Sequence, residues 1–536
     1  MNEWIKKSWN GMEWLVRMGY ETIIPEKIWD TITQPELTPE CQILKKNLLR
    51  TSILMPLSEA PGAAVFVKRN HPRHWKDDLQ SLFLPSRALS EWKSLRHFER
   101  LQIPAPHPLA FGEKRERGIL KDSCLVIEAI GSARSLNSYC GLLTNKARKS
   151  AAKNLQDLIS PLARAIARLH ASGVYYRDLH GGNILCREDS TGKVEIVFVD
   201  TDKVRFLAKP TQRTQVRDLA MLYNSLFTQD DSGWSQFLTI YREGEKISSL
   251  LTDDFSTKIE TVARTFRERH VRSRTKRCLK RTTAFNIGRE KKRILYFRRE
   301  VSAEDLHAAV DTVHRTCPDG KRKRFRLVIP FRAPYSSVEV NQYGYSMTDR
   351  LKSLIFFSPA KAHWVHANGL LARDVPTPLP IALVEEKGAF GVKAGMVFTE
   401  NPASCCRLGD YIRNTFFNAG PDILFVGKIR FVREFAESIA TLYQNKICFG
   451  NLTAEHILVN EARQSLPTFC YRDLEEIDFN RSIVSRKMIK NLTDLNESLP
   501  FDVSRRERLR FLFYFVRSWP RETRRAFVKQ TLKRIQ

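Results

Sequence analysis

The chain of 536 residues contains an internal repeat, and this repeat limits the folds available to it more than any other feature. The block "DLQSLFLPSRALSEW" returns as "DRLKSLIFFSPAKAHW", "IPAPHPLAFGE" as "VPTPLPIALVE", and "VYYRDLHGGNIL" as "ICFGNLTAEHIL". The spacing is nearly constant, because Trp92 and Trp364 lie 272 residues apart and Leu179 and Leu452 lie 273 apart. Chance similarity would not keep register over such a length. We therefore predict a duplicated domain.

The third block carries side chains suited to phosphoryl transfer. Asp178 precedes Asn183 by five residues, which is the spacing of a kinase catalytic loop, where Asp orients the attacking hydroxyl and Asn reaches Mg²⁺. The apolar run "VEIVFV" then ends at Asp200. A polar turn separates this run from "NILC", so we predict a hairpin that presents Asn183 and Asp200 on one side. Oxygen ligands of this kind suit Mg²⁺ bound to a triphosphate.

A kinase site also needs a lysine on a strand and a glutamate on the following helix. Lys68 ends the apolar run "AAVFVK", and Glu91 flanks the apolar stripe of "SRALSEWKSLRHFERL". Each residue alone would be read as a solvated surface charge. Their order ahead of the catalytic loop favours a phosphate-binding lysine and its ion-pair partner.

The succession of these blocks, from "SRALSEW" through "CLVIEAIGSARSLNSY" to "YYRDLHGGNIL" and "VDTDKVRF", resembles the lipopolysaccharide kinase (Kdo/WaaP) family over roughly residues 51–226. The resemblance implies a protein-kinase-like fold and ATP-dependent phosphorylation of inner-core sugars. We therefore expect an α+β chain of two tandem protein-kinase-like bilobal domains, each with a small β-rich lobe and a larger helical lobe.

The resemblance also implies a role for each matching residue. Asp178 would be the catalytic base, and Lys68, paired with Glu91, would anchor the phosphates of ATP. The expected Mg²⁺ ligands are Asn183 and Asp200. The expected adenine hinge is Glu128, Ala129 and Ile130, and the expected support of the catalytic loop is Asp218.

Two features depart from a protein kinase. Within "SEAPGAAVFVK", Gly62 is the one glycine before Lys68, so there is no glycine-rich loop and phosphate binding must rest more on Lys68 and the metal. Asp200, Thr201 and Asp202 replace the usual Asp-Phe-Gly triplet. We favour Asp200 as the metal ligand, because it follows the apolar run directly, with Asp202 as a second ligand or a bystander.

The second copy has lost most of these groups. At the same offsets the residues are Val340 for Lys68, His363 for Glu91, Asn451 for Asp178, His456 for Asn183 and Asn491 for Asp218, while Asp473 matches Asp200. Asn cannot accept a proton and Val cannot neutralise phosphate, so we expect an inactive second copy. If the pairing near Val340 slips, Arg332 or Lys352 would approach the phosphates instead.

The formal net charge of +29 suits an anionic partner, such as a phosphorylated glycolipid or an acidic membrane surface. Between residues 264 and 299, fifteen Lys or Arg face two acids. Regularly spaced apolar residues, with a hairpin-like "AFNIGREKKRILYF", indicate a folded basic connector that could touch lipid phosphates rather than a plain solvated linker. Nucleic acid is a less favoured partner, because no binding motif accompanies the charge.

We expect a cytoplasmic protein, with possible peripheral contact at the inner membrane, because no signal peptide or membrane span is found. Trp4, Trp9 and Trp14 would either dip into a bilayer or pack on the first lobe. The predicted domains are 1–45, an N-terminal extension of the first lobe; 46–262, an active kinase-like domain; 263–320, the basic connector that opens the second domain; and 321–536, the degenerate kinase-like copy. Two rival functions remain, another small-molecule phosphotransferase of the aminoglycoside type and a non-enzymatic scaffold at the inner membrane.

Overall fold

A computed structural model describes residues 3–529 apart from 22–25, 39, 47–49, 58–63, 72–80, 146–147, 209, 227–230, 244–253, 317–323, 333, 417–420, 461–466, 480–484, 502, 518, 520, 522–523 and 526. Two units divide the chain between Glu268 and Arg269, inside the helix Phe255–Arg277. Each unit contains a large sheet and several helices. The α+β class is therefore confirmed.

The sheet of the first unit is antiparallel throughout. Its strands lie in the order Trp4–Trp9, Met12–Arg17, Pro108–Glu116, Ile119–Glu128, Ala64–Asn70, Arg50–Pro56 and Gln42–Lys46. The two N-terminal strands thus belong to this sheet.

Alternating side chains give the first sheet two apolar faces. Met12, Trp14 and Val16 are buried on one face, where the helix Glu26–Thr33 covers them. The helix Arg87–Arg100 packs on the other face and begins at Ser86, whose Oγ accepts a hydrogen bond from the N–H of Leu89 (3.0 Å). We call this element the glutamate helix, because it carries Glu91, and Ala64–Asn70 the lysine strand.

The rest of the first unit is mainly helical. Its core joins apolar residues of the helix Arg148–Ala171 to stacked aromatics of the helix Asp231–Arg242. The other helices are Leu136–Asn145, Gln212–Leu226 and Phe255–Arg277, and the short strands are Arg134–Ser135, Val174–Tyr175, Ile184–Glu188, Val194–Phe198 and Arg205–Phe206. Ile184–Glu188 pairs antiparallel with Val194–Phe198, which confirms the predicted hairpin.

The sheet of the second unit has six strands, which follow the same chain order as the first sheet without its last strand. Its strands lie in the order Phe285–Arg289, Arg293–Arg298, Pro380–Lys387, Val392–Glu400, Ser337–Gly344 and Arg324–Pro330. The first two strands confirm the hairpin predicted in the basic connector, and they belong to the sheet of the second unit.

Seven helices and two small sheets complete the described part of the second unit. The helices are Ala303–Thr316, Met347–Lys352, Pro359–Leu371, Leu408–Phe416, Pro421–Gln444, Ser485–Ser498 and Arg505–Phe515, and the short strands are Cys405–Arg407, Ile447–Phe449, Ile457–Asn460, Thr468–Tyr471 and Ile477–Phe479. Leu512 and Phe515 of the last of these helices are buried in the core of this unit.

The register of the second sheet corrects one match made from sequence. Lys68 pairs with Leu125, whereas the partner of Val397, which lies 272 residues after Leu125, is Asn341 and not Val340. Asn341, and not Val340, therefore has the strand pairing that matches the pairing of Lys68. The reason is that Val340 lies in the buried apolar core, and a shift by one residue would turn that face of the strand outward.

The N-terminal tryptophans lie against the first unit. Trp14 is fully buried, and Trp4 meets Trp92 edge to face at 5.1 Å, while Trp9 is about one-third exposed. Packing thus accounts for Trp4 and Trp14. Among the helices that the structure describes, none has both the length and the apolar character needed to cross a membrane.

Candidate functional site

A buried ion pair joins the lysine strand to the glutamate helix. Lys68 Nζ lies 2.5 Å from Glu91 Oε1, and both side chains are about 6% exposed. Burial raises the pKa of Glu91 and the charge of Lys68 opposes that rise. The two residues predicted to pair are therefore in contact, although 23 positions separate them.

One carboxylate oxygen of Asp200 contacts two cationic side chains. Lys68 Nζ lies 3.1 Å and Arg50 Nη2 3.2 Å from Asp200 Oδ1. Burial favours the neutral carboxyl, but these two cations outweigh it and hold the pKa of Asp200 well below its usual range. The pKa of Asp202 is instead raised, by burial and by the charge of Asp200. Asp200 is thus the better anionic ligand of the two.

The catalytic loop is supported from beneath by a buried carboxylate. Asp218 is fully buried and accepts hydrogen bonds from the backbone N–H groups of Tyr176 (2.7 Å) and Arg177 (2.8 Å). Arg177 has a φ of 72°, a left-handed conformation that costs free energy in a non-glycine residue. The two hydrogen bonds hold this strained backbone directly before Asp178.

Asn183 lies between Asp178 and the strand that leads to Asp200. Its Nδ2 donates to the backbone carbonyl of Asp178 (3.1 Å), and its own carbonyl accepts from the N–H of Val199 (3.0 Å). Asp178 itself forms an ion pair with Lys203, which follows Asp200 by three residues. The structure thus brings together Asp178, Asn183 and Asp200.

Arg50 and Lys203 are site residues that reasoning from sequence missed. Arg50 begins the strand next to the lysine strand, and the chain between Arg50 and Asp200 is 150 residues long. Lys203 lies within "VDTDK", close to a predicted ligand, and that proximity was the one available signal. No local periodicity marks Arg50.

The donor set fits a magnesium ion bound together with phosphate. Because the Asn183 amide nitrogen is committed to Asp178, its oxygen is the atom available to a cation, alongside the Asp200 carboxylate. Mg²⁺ commonly takes one or two protein oxygens and completes its shell with water and phosphate. In the described part of the chain, no group of three or more His, Cys, Asp or Glu could hold a metal without such help.

The predicted hinge borders a cavity of about 460 Å³. Glu128, Ala129 and Ile130 line it together with the loop 102–107 that follows the glutamate helix. Lys68, Asp178 and Asp200 are not among the described residues that line this cavity. The N–H of Ala129 donates to the carbonyl of Ala64 (3.0 Å), so it is engaged within the sheet. The adenine-binding role of Glu128 and Ile130 stays a prediction.

In the second unit, two arginines lie against Asp473, the residue that the spacing of the repeat matches to Asp200. Arg324 and Arg326 both contact Asp473 Oδ1, and Arg326 Nε also donates to Asn341 (2.9 Å). Asp473 has a φ of 61°, close to the 63° of Asp200. The prediction that Arg332 or Lys352 would approach the phosphates after a shift of the strand pairing was wrong. Arg332 is 83% exposed and pairs with Asp305. Lys352, the other candidate, is exposed.

A further ion pair fills the space beside Asp473. Arg472 Nη2 contacts both carboxylate oxygens of Glu339 at 3.0 Å. Nearby, a hydrogen bond of 2.7 Å joins His363 Nδ1 and the Tyr343 hydroxyl. The cavity bordered by Arg326, Glu339 and Asp473 measures about 10 Å³. That volume is close to the minimum for one water molecule and far below that of a nucleotide.

Residues 51–241 match the sequence profile of the lipopolysaccharide kinase (Kdo/WaaP) family. Two relatives, lipopolysaccharide core heptose(I) kinases WaaP of Escherichia coli and of Escherichia coli strain K12, are each 25% identical over 194 residues, covering 34% of this chain and 72% of the relative. The solved structure of WaaP in complex with acyl carrier protein is 18% identical, with a TM-score of 0.33, over 42% of this chain and 88% of that chain. Residues 51–241 of this chain are thus similar to the lipopolysaccharide kinase (Kdo/WaaP) family.

Proposed function

We propose that the chain is an ATP-dependent kinase that transfers a phosphoryl group to a sugar hydroxyl of the lipopolysaccharide inner core, either heptose or Kdo. The observation that carries this proposal is the convergence of Lys68, Glu91 and Asp200, beside the loop that bears Asp178 and Asn183. A structural ion pair alone would not require Asp178 and Asn183 at kinase spacing.

Each side chain has one task in this mechanism. Asp178 orients the acceptor hydroxyl and accepts its proton. Lys68, held by Glu91, neutralises the phosphates of ATP, and Asn183 and Asp200 would hold Mg²⁺, which supplies further charge neutralisation when bound. Because all these groups are supported by strands, a helix or buried hydrogen bonds, positioning and electrostatics would supply most of the acceleration.

Two cations extend the set beyond the residues predicted from sequence. Arg50 would bind the phosphates beside Lys68, since both cations already converge on Asp200. Lys203 accompanies Asp178 and would neutralise charge on the group in transfer. Together they offset the lack of a glycine-rich loop in the sequence.

For the second unit we propose a degenerate, catalytically inactive kinase-like copy in tandem with the first. The arginines on Asp473 stand where a metal would bind, and Asn451 replaces the catalytic base. This half would serve as a scaffold, and the chain would act in the cytoplasm at the inner membrane. A phosphotransferase acting on another small molecule is the alternative for the first half.

The test compares the inner-core lipid of cells that carry the native chain with that of cells carrying Asp178→Asn, by mass spectrometry. We expect core phosphate to fall in the variant, and the mass of the phosphorylated fragment to distinguish heptose from Kdo. Asn451→Ala in the second half is the matched control and should leave core phosphate unchanged. Identical phosphate content in native and Asp178→Asn cells would refute the proposal.

A further inference from the structure

Among the residues that the structure describes in the second unit, one cluster of large apolar side chains is exposed. Leu354, Ile355 and Phe356 are 64%, 82% and 69% exposed, and Leu351 and Phe357 are about half exposed. We call residues 351–357 the apolar turn. It begins in the last two residues of the helix Met347–Lys352 and ends before the helix Pro359–Leu371. Single exposed apolar residues are common on protein surfaces, but five within one turn indicate a binding surface.

A neighbouring hairpin enlarges this surface. Ser353 Oγ accepts a hydrogen bond from the N–H of Val392 (2.9 Å) and donates to the carbonyl of Arg350 (2.6 Å). Gly391 lies so close that a Cβ there would come within 2.2 Å of the Arg350 carbonyl oxygen. These contacts hold the turn that carries Phe390, 62% exposed, against the apolar turn.

Basic side chains surround the apolar cluster. The N–H of Lys387 donates to the carbonyl of Lys292 (2.8 Å), which joins the end of the basic hairpin to the end of the strand leading to Phe390. Lys291, Lys292 and Lys387 are exposed there. Lys352 and Lys393 are also exposed.

The acids near this end are already engaged. Glu386 pairs with Arg293 (3.5 Å) and Lys393 (3.5 Å), and Glu290 lies 3.0 Å from His307. The surface therefore combines apolar side chains with an excess of positive charge.

We propose that this face docks on an anionic lipid bilayer, with the apolar turn and Phe390 inserted among the headgroups and the lysines bound to lipid phosphates. Apolar and basic side chains on one face are the combination that interfacial membrane binding requires. A second copy of the chain is a poorer occupant, because two such faces would bring lysine against lysine. Membrane docking by this face does not depend on the kinase reaction, so each of the two proposals can fail without the other.

The experiment is co-sedimentation of the full chain with vesicles of phosphatidylethanolamine and phosphatidylglycerol, and with vesicles of phosphatidylcholine alone. We expect binding to the anionic vesicles that weakens as salt rises. The variant I355D/F356D should bind at least tenfold more weakly. Phe513→Asp is the matched control, because Phe513 is an exposed aromatic on the helix Arg505–Phe515, and it should bind like the native chain.

Two further measurements test the role of charge and the folding of the variants. Lys387→Glu combined with Lys393→Glu should weaken anionic binding and its salt dependence, and circular dichroism should show each variant folded. Three results would overturn the proposal. They are no binding of the native chain to anionic vesicles, native-like binding by I355D/F356D, and a native dimer that this substitution converts to a monomer.

Discussion

The support of the catalytic loop by Asp218 makes a prediction that can be worked out from the structure. Asp218→Asn keeps the size of the side chain but leaves one oxygen to serve two backbone N–H donors, those of Tyr176 and Arg177. The second donor then faces an amide N–H₂ group instead of an acceptor. A hydrogen bond to a charged group contributes about 1.5–3 kcal/mol, and an unsatisfied buried N–H costs about 1–3 kcal/mol.

The loop should therefore lose about 2–3 kcal/mol of local stability, which corresponds to roughly 30- to 150-fold faster amide exchange. Hydrogen–deuterium exchange of a peptide covering residues 174–179 measures this directly. Phosphoryl transfer should fall in parallel, because Asp178 follows the strained Arg177. The control is Asn491→Ala, which removes the hydrogen bond from Asn491 to the Phe449 carbonyl in the second unit. Unchanged exchange at Tyr176 and Arg177 in Asp218→Asn would refute the reasoning.

Three further perturbations test the electrostatics of the two units. Burial lowers the pKa of His363 from 6.5 to about 4, so between these pH values the unfolded chain binds a proton that the folded unit does not. The free energy of unfolding of the second unit should therefore fall by about 3 kcal/mol as pH drops from 6.5 to 4, as measured by urea unfolding followed by hydrogen exchange. His363→Gln should abolish this dependence on pH. An equal pH dependence in the native chain and the variant would contradict this explanation. Arg50→Ala should raise the KM for ATP at least tenfold. The control Arg69→Ala removes a separate ion pair with Asp122 (2.6 Å) and should leave this KM unchanged. Similar KM values in the two variants would exclude a role of Arg50 in binding phosphate. Lys203→Met should lower kcat about tenfold with little change in the KM for ATP, since its charge lies at Asp178, and a native kcat would remove Lys203 from the mechanism.

Local patterns predicted several features correctly. The order Lys68, Glu91, Asp178, Asn183 and Asp200 predicted a kinase site, and the succession of blocks around these residues predicted the similarity to the lipopolysaccharide kinase (Kdo/WaaP) family that the profile match over residues 51–241 confirms. Both predicted hairpins exist, because each combines two apolar runs with a short polar turn. These features depend on residues close together in the chain, or on spacings that the family shares.

Sequence matching failed where pairing between strands decides the answer. The offset of the repeat assigns Val340 to the place of Lys68, whereas burial of Val340 in the core puts Asn341 there. A constant spacing between two copies cannot reveal a shift of one residue within a strand pair, because that shift is set by which side chains the core accepts.

The amino-acid sequence alone was enough to indicate the similarity to the family, the internal repeat and the residue types that could perform phosphoryl transfer. Tertiary structure decided which charges meet. Arg50 reaches Asp200 across 150 residues, Arg324 reaches Asp473 across 149, and the apolar turn remains exposed beside basic hairpin ends. The physical reason is that charge pairing and exposure depend on distances in space, which packing of the sheets and helices sets and which no local pattern encodes.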